Sequence, residues 1–277
     1  GNQIWKKNIN GLDQGFDYEV STKIKSIIEL EDGTFVLTGT IVEDQVYVDK
    51  VLIAKFDSDG NFIWINNVEL DVDNISAINT YSVGYSVKEA LDGGFIISAL
   101  SGEDNWDIDR YLYLIKTDAY GNQEWVQNYP EGTISTVGWN FSRSEYEKCS
   151  VDLGVDGGYI VLGSNGEWGS NSNMYVIKVD DFGTIEWDYT IENLNIDGPD
   201  FHSTIIKTND NDYMIGGTVT NAATSPYPGR DFSIIRFDGC EMLDNACDCN
   251  GNVDLGCGCG EAAPTGCDNT CGSTLEF

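Results

Sequence analysis

The chain has 277 residues, of which 46 are acidic and 15 basic, for a formal charge of -31. That balance excludes nucleic acids and anionic lipid surfaces as partners, since both are held by Lys and Arg. No apolar run of about eighteen residues is present to cross a membrane as a helix, while 41% hydrophobic and 12% aromatic residues supply a sizeable core. The acidic surface suits a saline exterior, where ions screen its self-repulsion.

In chain order, Gly1-Asn2-Gln3-Ile4-Trp5 comes first, and its Gly-to-Trp spacing returns further along. Lys55-Phe56-Asp57, Lys116-Thr117-Asp118 and Lys178-Val179-Asp180 are followed at fixed distances by Gly60 and Trp64, Gly121 and Trp125, and Gly183 and Trp187. Arg236-Phe237-Asp238-Gly239 opens a fourth copy. Upstream of each stands a turn and an aromatic: Asp32-Gly33-Thr34-Phe35, Asp92-Gly93-Gly94-Phe95, Asp156-Gly157-Gly158-Tyr159 and Asn211-Asp212-Tyr213. Earlier still come Ser26-Ile27, Ser86-Val87, Ser150-Val151 and Thr204-Ile205. The period is about sixty residues, a repeat architecture.

Each unit predicts four short strands, A to D, with alternating or continuous apolar runs and Gly-bearing turns. Radially repeated four-stranded units are propeller blades. The expectation is therefore an all-β, four-bladed β-propeller over 1–239, with blades at 22–69, 82–129, 145–191 and 201–238. Residues 1–10 supply the outer strand of the last blade and close the ring. A disulfide-rich irregular segment, 240–277, follows.

The phrases Asp92-Gly93-Gly94-Phe95-Ile96-Ile97 and Leu114-Ile115-Lys116-Thr117-Asp118, with Gly121, Asn122 and Trp125, resemble propeller repeats of secreted Bacteroidota proteins, many of them type IX secretion cargo. The resemblance covers 1–239 and implies a secreted, surface-attached protein. Cys247-Asp248-Cys249-Asn250-Gly251-Asn252 and Cys267-Asp268-Asn269-Thr270-Cys271-Gly272 are similar to Cys-Gly stalk segments of such proteins, with departures in spacing.

Cys240, Cys247, Cys249, Cys257, Cys259, Cys267 and Cys271 crowd the tail, and Cys149 is the eighth. This density reads as a disulfide framework in an oxidising space. Seven is odd, so either Cys149 pairs with the tail, or one cysteine pairs beyond residue 277 or with another chain. The tail holds Cys-x-Cys pairs and no His, which disfavours zinc. A pattern that stops at Cys-Gly leads to the expectation of a longer stalk.

The strand-D tryptophans read as core wedges. Trp106, Trp139, Trp168 and Tyr227 instead fall in the long B–C and D–A connections, which topology gathers at one end of a propeller, beside Asp107 and Asp109. Aromatic faces with carboxylate rims are what sugar binding uses, and long loops on rigid scaffolds are where binding resides. No cofactor is expected to be required. Calcium is the one ion considered: Asp57-Ser58-Asp59-Gly60-Asn61 looks like a calcium loop but lacks the acid at its twelfth position.

The leading expectation is thus a non-enzymatic, extracellular adhesin or filament head that presents its loop-rich end to a glycan or surface protein. Self-association through head or stalk is part of that expectation. The alternatives are a polysaccharide hydrolase and a ligand-free structural subunit.

Overall fold

The structure, a computed structural model, describes residues 6, 20–43, 48–68, 70, 80–103, 107–137, 149–167, 173–191, 201–221 and 229–237. All regular structure among them is β. Blade 1 is β1 (Val20–Glu29), β2 (Phe35–Glu43), β3 (Val48–Phe56) and β4 (Phe62–Val68), paired in that order. Blade 2 is β5 (Thr80–Glu89), β6 (Phe95–Glu103), β7 (Asp107–Thr117) and β8 (Gln123–Val137). Blade 3 is β9 (Ser150–Leu153), β10 (Tyr159–Glu167), β11 (Asn173–Val179) and β12 (Ile185–Ile191). Blade 4 contributes β13 (Phe201–Lys207), β14 (Tyr213–Asn221) and β15 (Gly229–Phe237). The four sheets are arranged as a four-bladed β-propeller, as the repeat predicts. The closing role expected of residues 1–10 falls outside the described residues, apart from Lys6, and so does the segment 240–277.

Strand residues alternate between two faces, and in the inner blades both faces are covered, so the strands read as continuous apolar runs. In β6, Phe95, Ile97 and Ala99 join Val36, Val51 and Ile53 of blade 1. The intervening Ile96 and Leu100 join Tyr159, Val161 and Tyr175 of blade 3. Ile160, Leu162, Met174 and Val176 of blade 3 meet Ile205, Tyr213 and Ile215 of blade 4. Each such side chain taken from water contributes about 1.5–3 kcal/mol before entropy is set against it.

The strand-D tryptophans act as wedges between blades. Trp64 lies 6.0 Å from Phe95, Trp125 lies 6.3 Å from Tyr159, and Trp187 stacks 6.0 Å from Phe237, centroid to centroid. Their registers are identical, opposite Lys55, Lys116 and Lys178.

The C–D hairpins owe their shape to Asp and Gly. The Asp57 carboxylate accepts from the amides of Asp59 (3.0 Å) and Asn61 (2.7 Å) and from the Asn61 side chain (2.8 Å). Asp118 and Asp180 repeat this with Tyr120 and Asn122, and with Phe182 and Thr184. Gly60, Gly121 and Gly183 then take φ of 73°, 76° and 81°, and the register shifts by one residue beside them. This is a turn followed by a glycine bulge. The Asp57 loop is therefore a hairpin cap, its carboxylate spent on the turn.

Strand A bends at a bulge in blades 1, 2 and 4, just before the repeated hydroxyl residue. In blades 3 and 4 these hydroxyls link neighbouring strands A. Ser150 Oγ accepts from the Ile205 amide at 3.2 Å and lies 3.5 Å from Thr204 Oγ1. Lys25 sits over the Tyr85 ring at 5.3 Å, and Lys88 crosses to Asp152 at 3.1 Å, tying neighbouring innermost strands together.

Candidate functional site

Strand alternation sends the A–B turns and C–D hairpins to one end and the B–C and D–A connections to the other. The hairpin end is braced by ions. Lys116, almost fully buried, bridges Asp92 of the A–B turn and Glu124 of strand D, both at 2.7 Å. Lys178 does the same with Asp156 (3.0 Å) and Glu186. Among the described residues Lys55 reaches only Asp32, at 3.6 Å, and Arg236 takes Asp210 (3.3 Å) and Asp212. Burial is the largest single influence on both Asp92 and Lys116 and works against charge, but their hydrogen bonds and ionic attractions, with the Gly94 amide on Asp92 and Glu124 on Lys116, together outweigh it. The Asp92 carboxyl is held below its usual range and the Lys116 ammonium above. In the sequence these residues stand out only as landmarks of the repeat. The signal was present, since the cation before each Asp recurs with each Asp-Gly or Asn-Asp turn.

The other end is the candidate site. Trp106, Trp139, Trp168 and Tyr227 lie outside the described residues. Asp107 and Asp109 are within strand β7, which corrects their expected place in the long B–C connection. β6 runs to Glu103 and β7 starts at Asp107. Likewise β10 runs to Glu167, and β14 and β15 reach Asn221 and Gly229. Pairing continues past the apolar runs because the backbone amides and carbonyls still need partners, whatever the side chains are.

β8 shows what those extensions build. It runs to Val137, well past the blade end expected at 129. After an irregularity it resumes against β7, with Asp107 opposite Val137, Asp109 opposite Ser135 and Arg110 opposite Ile134. The same stretch pairs in parallel with β10 of the next blade, Ile134 with Gly166 and Ser135 with Glu167. Thr133-Ile134-Ser135-Thr136-Val137 is largely β-branched, which favours an extended, pleated segment. Blades 2 and 3 are thereby fused at the loop-bearing end into one continuous sheet path. Asp109, Ser135 and Glu167 share one register across three strands, so the two acidic positions stand about 9–10 Å apart at the backbone. They come from different blades, which is why no sequence window displays them together.

Among the described residues no group of three or more His, Cys, Asp or Glu side chains is arranged to hold a metal. Cys149 is a free, buried thiol in the core between blades 2 and 3, which corrects its place in the disulfide framework and removes the alternative that it pairs with the tail. It occupies the place of the strand-A bulge residues Lys25, Tyr85 and Ser203. The other seven cysteines lie outside the described residues. Burial pushes the Cys149 thiol up to about 12. Since the thiolate is the reactive form, Cys149 is expected to resist maleimide at pH 8 in the native protein and to label fully on unfolding. Mass spectrometry of the Cys149 peptide checks this, and rapid native labelling would place the thiol outside the core.

No family model matches the chain, and no curated protein sequence does either. Similar solved structures include a protein of unknown function from Bacteroides caccae, with a TM-score of 0.41 and 8% identity over 76% of this chain. This chain spans 61% of that protein. A GH43 endo-arabinanase from Bacillus licheniformis has a TM-score of 0.41 and 13% identity, covering 81% of this chain and 74% of the enzyme. A thermostable family-43 glycoside hydrolase has a TM-score of 0.40 and 14% identity, covering 79% and 71%. At these scores the likenesses assign no activity and no residue to this chain. Two of the three are named as glycoside hydrolases, and the expectation of a non-enzymatic protein is withdrawn.

Proposed function

We propose that the protein is an extracellular carbohydrate-engaging propeller, whose loop-bearing end over blades 2 and 3 receives a glycan chain. The observation that carries this reading is the β7–β8–β10 patch. It fixes Asp107, Asp109, Arg110 and Glu167 on paired backbone, at the end from which the segments bearing Trp106 and Trp168 emerge. Rigid polar positions beside aromatic connections suit sugars, which offer hydroxyl edges and apolar ring faces. The acidic surface and the cysteine-dense segment 240–277 support a saline, oxidising setting. Display on a secreted or surface-attached protein, of the type IX cargo kind, belongs to the same proposal.

One observation favours a second reading, hydrolysis of the bound polysaccharide. Asp109 and Glu167 bring two acidic backbone positions of neighbouring blades into one register, and glycoside hydrolysis uses a pair of carboxyl groups.

The test is a glycan array with the wild type and with Trp106→Ala, Trp168→Ala, Asp109→Asn and Glu167→Gln, followed by reducing-end release from every polysaccharide bound. Binding that falls at least about tenfold in these variants, with unchanged thermal unfolding, supports the proposal. Binding indifferent to all four, or no glycan bound at all, overturns it. New reducing ends that vanish in Asp109→Asn and Glu167→Gln establish the second reading.

A further inference from the structure

The C–D hairpin of blade 1 spends the Asp57 carboxylate on its turn and leaves a second acid over. Asp59 is exposed, and among the described residues its carboxylate has no hydrogen-bond or ionic partner. Tyr120 and Phe182 take the same place in the hairpins of blades 2 and 3. Asp59 precedes Gly60, and an Asp-Gly bond is prone to rearrange, because glycine has no side chain to shield its amide nitrogen from the aspartyl Cγ.

Four Asp-Gly bonds lie among the described residues, and the fold clamps three of them. The Asp32 carboxylate accepts from the Thr34 amide at 2.8 Å and from the Thr34 hydroxyl, with Lys55 Nζ 3.6 Å away. The Asp92 carboxylate accepts from the Gly94 amide at 2.9 Å and from Lys116 Nζ at 2.7 Å. Asp156 pairs with Lys178 at 3.0 Å. These bonds fix the carboxyl group and favour its ionised form, as at Asp32, which the Thr34 hydroxyl and then its amide hold below the usual range. Ring closure needs the opposite, a mobile and protonated carboxyl. The backbone does not separate the sites. Gly33, Gly60 and Gly93 have φ of 77°, 73° and 81°, and their amides donate to Leu30, Asp57 and Ala90 at 2.9, 3.0 and 3.0 Å. Asn165-Gly166, the Asn-Gly bond among the described residues, is held extended in β10 between β11 and β8.

We propose that Asp59-Gly60 is a site of spontaneous covalent modification, where the native protein rearranges through a succinimide to isoaspartate. The Gly60 nitrogen loses its proton and bonds to Cγ of the protonated Asp59 side chain, and the Cγ hydroxyl leaves with that proton as water. Water then adds back to either ring carbonyl. Opening at Cγ restores aspartate. Opening at the main-chain carbonyl breaks its bond to the Gly60 nitrogen and leaves Gly60 linked through the side chain. One water leaves and one returns, with no oxidant or metal consumed. The product has one more backbone atom between Asp57 and Asn61, which lengthens the loop that the Asp57 carboxylate closes through the Asp59 and Asn61 amides.

The experiment is prolonged incubation of the full native chain at mildly acidic pH. Enzymatic methylation of isoaspartyl groups counts the β-linkages, and peptide mapping with electron-transfer fragmentation places them. Isomerisation at Asp59 is expected to outrun that at Asp32, Asp92 and Asp156 by about tenfold or more, the factor that one hydrogen bond to a charged group supplies. In the urea-unfolded chain the four rates are expected to converge, because the clamps are gone. Lys116→Met, which frees Asp92 from its ammonium, is expected to speed Asp92 in the folded protein and to leave Asp59 unchanged. Asp59→Glu is expected to remove the signal from this hairpin, since its longer side chain would have to close a six-membered ring. A native Asp59 rate no greater than the other three overturns the proposal. So does a spread of rates that persists unchanged in urea, because neighbouring sequence and not the fold would then set it. Neither result bears on glycan binding, which is read at the opposite end of the propeller.

Discussion

Lys116→Ala is expected to lower the free energy of unfolding by about 3 kcal/mol, near the bottom of the range for breaking a buried ion pair. The lysine side chain is 4% exposed, while its partners Asp92 and Glu124 are 58% and 45% exposed. Water therefore rehydrates the abandoned carboxylates, which keeps the loss from being larger. Two separable contributions are removed: the packing of the buried alkyl stem, and the tie between the A–B turn, strand C and strand D. Lys116→Met restores the first and should recover about half of the loss. Lys55→Ala is expected to cost less, because among the described residues Lys55 has only the 3.6 Å contact to Asp32 and Ile63 stands where blade 2 has Glu124. The pH dependence follows from the signs. The Asp92 carboxyl is lowered from 3.8 in the folded state, so its stabilisation is present above the unfolded value and fades as pH falls through the folded one. The Lys116 ammonium is raised from 10.5, so its share is present below that value and fades as pH rises past the folded one. Urea unfolding of wild type and Lys116→Met at about 1 M NaCl should thus converge below pH 3. Equal stability of the two at pH 7 would show that the charges hold nothing together.

The parts of the molecule that were legible in the sequence are those set by short-range pattern. The recurrence of Gly60, Gly121 and Gly183 reflects a backbone need, positive φ in a bulged hairpin, and such a need leaves the same residue in every copy. Trp64, Trp125 and Trp187 recur because each must fill one volume between blades. The bracing ions recur just as regularly, yet residue type alone does not separate a buried Lys116 from an exposed one. What was hidden is long-range. The parallel contact of Ser135 with Glu167 joins residues of two blades, and no local period encodes it. Polar composition also concealed that Asp107–Arg110 is paired strand, since a ladder depends on the backbone. Cys149 was misjudged for a related reason. Counting cysteines assumes that each seeks a partner, whereas a bulge position facing the core between blades 2 and 3 accommodates a thiol as a small apolar group.

Gly121→Ala should be among the most damaging single-methyl additions in the protein, at about 3 kcal/mol, and its effect can be split into two. The glycine has φ of 76°, which costs an L side chain about 1–2 kcal/mol. An added Cβ would also stand 2.6 Å from Cζ3 of Trp64, the wedge of the preceding blade. Overpacking of this kind adds about 1–3 kcal/mol. Gly93 isolates the first contribution. Its φ is 81° and a Cβ there meets nothing within 4 Å, so Gly93→Ala should cost about 1–2 kcal/mol and no more. The difference between the two variants, measured by urea unfolding at fixed salt, is then the packing of a blade wedge against the next hairpin. A double-mutant cycle sharpens the point. Trp64→Leu alone loses a buried indole, but in the Gly121→Ala background it also relieves the clash, so the two losses should sum to less than their separate values by at least about 1 kcal/mol. Strict additivity would mean that Trp64 does not rest on this hairpin in solution, and the wedge account of how one blade seats the next would be wrong.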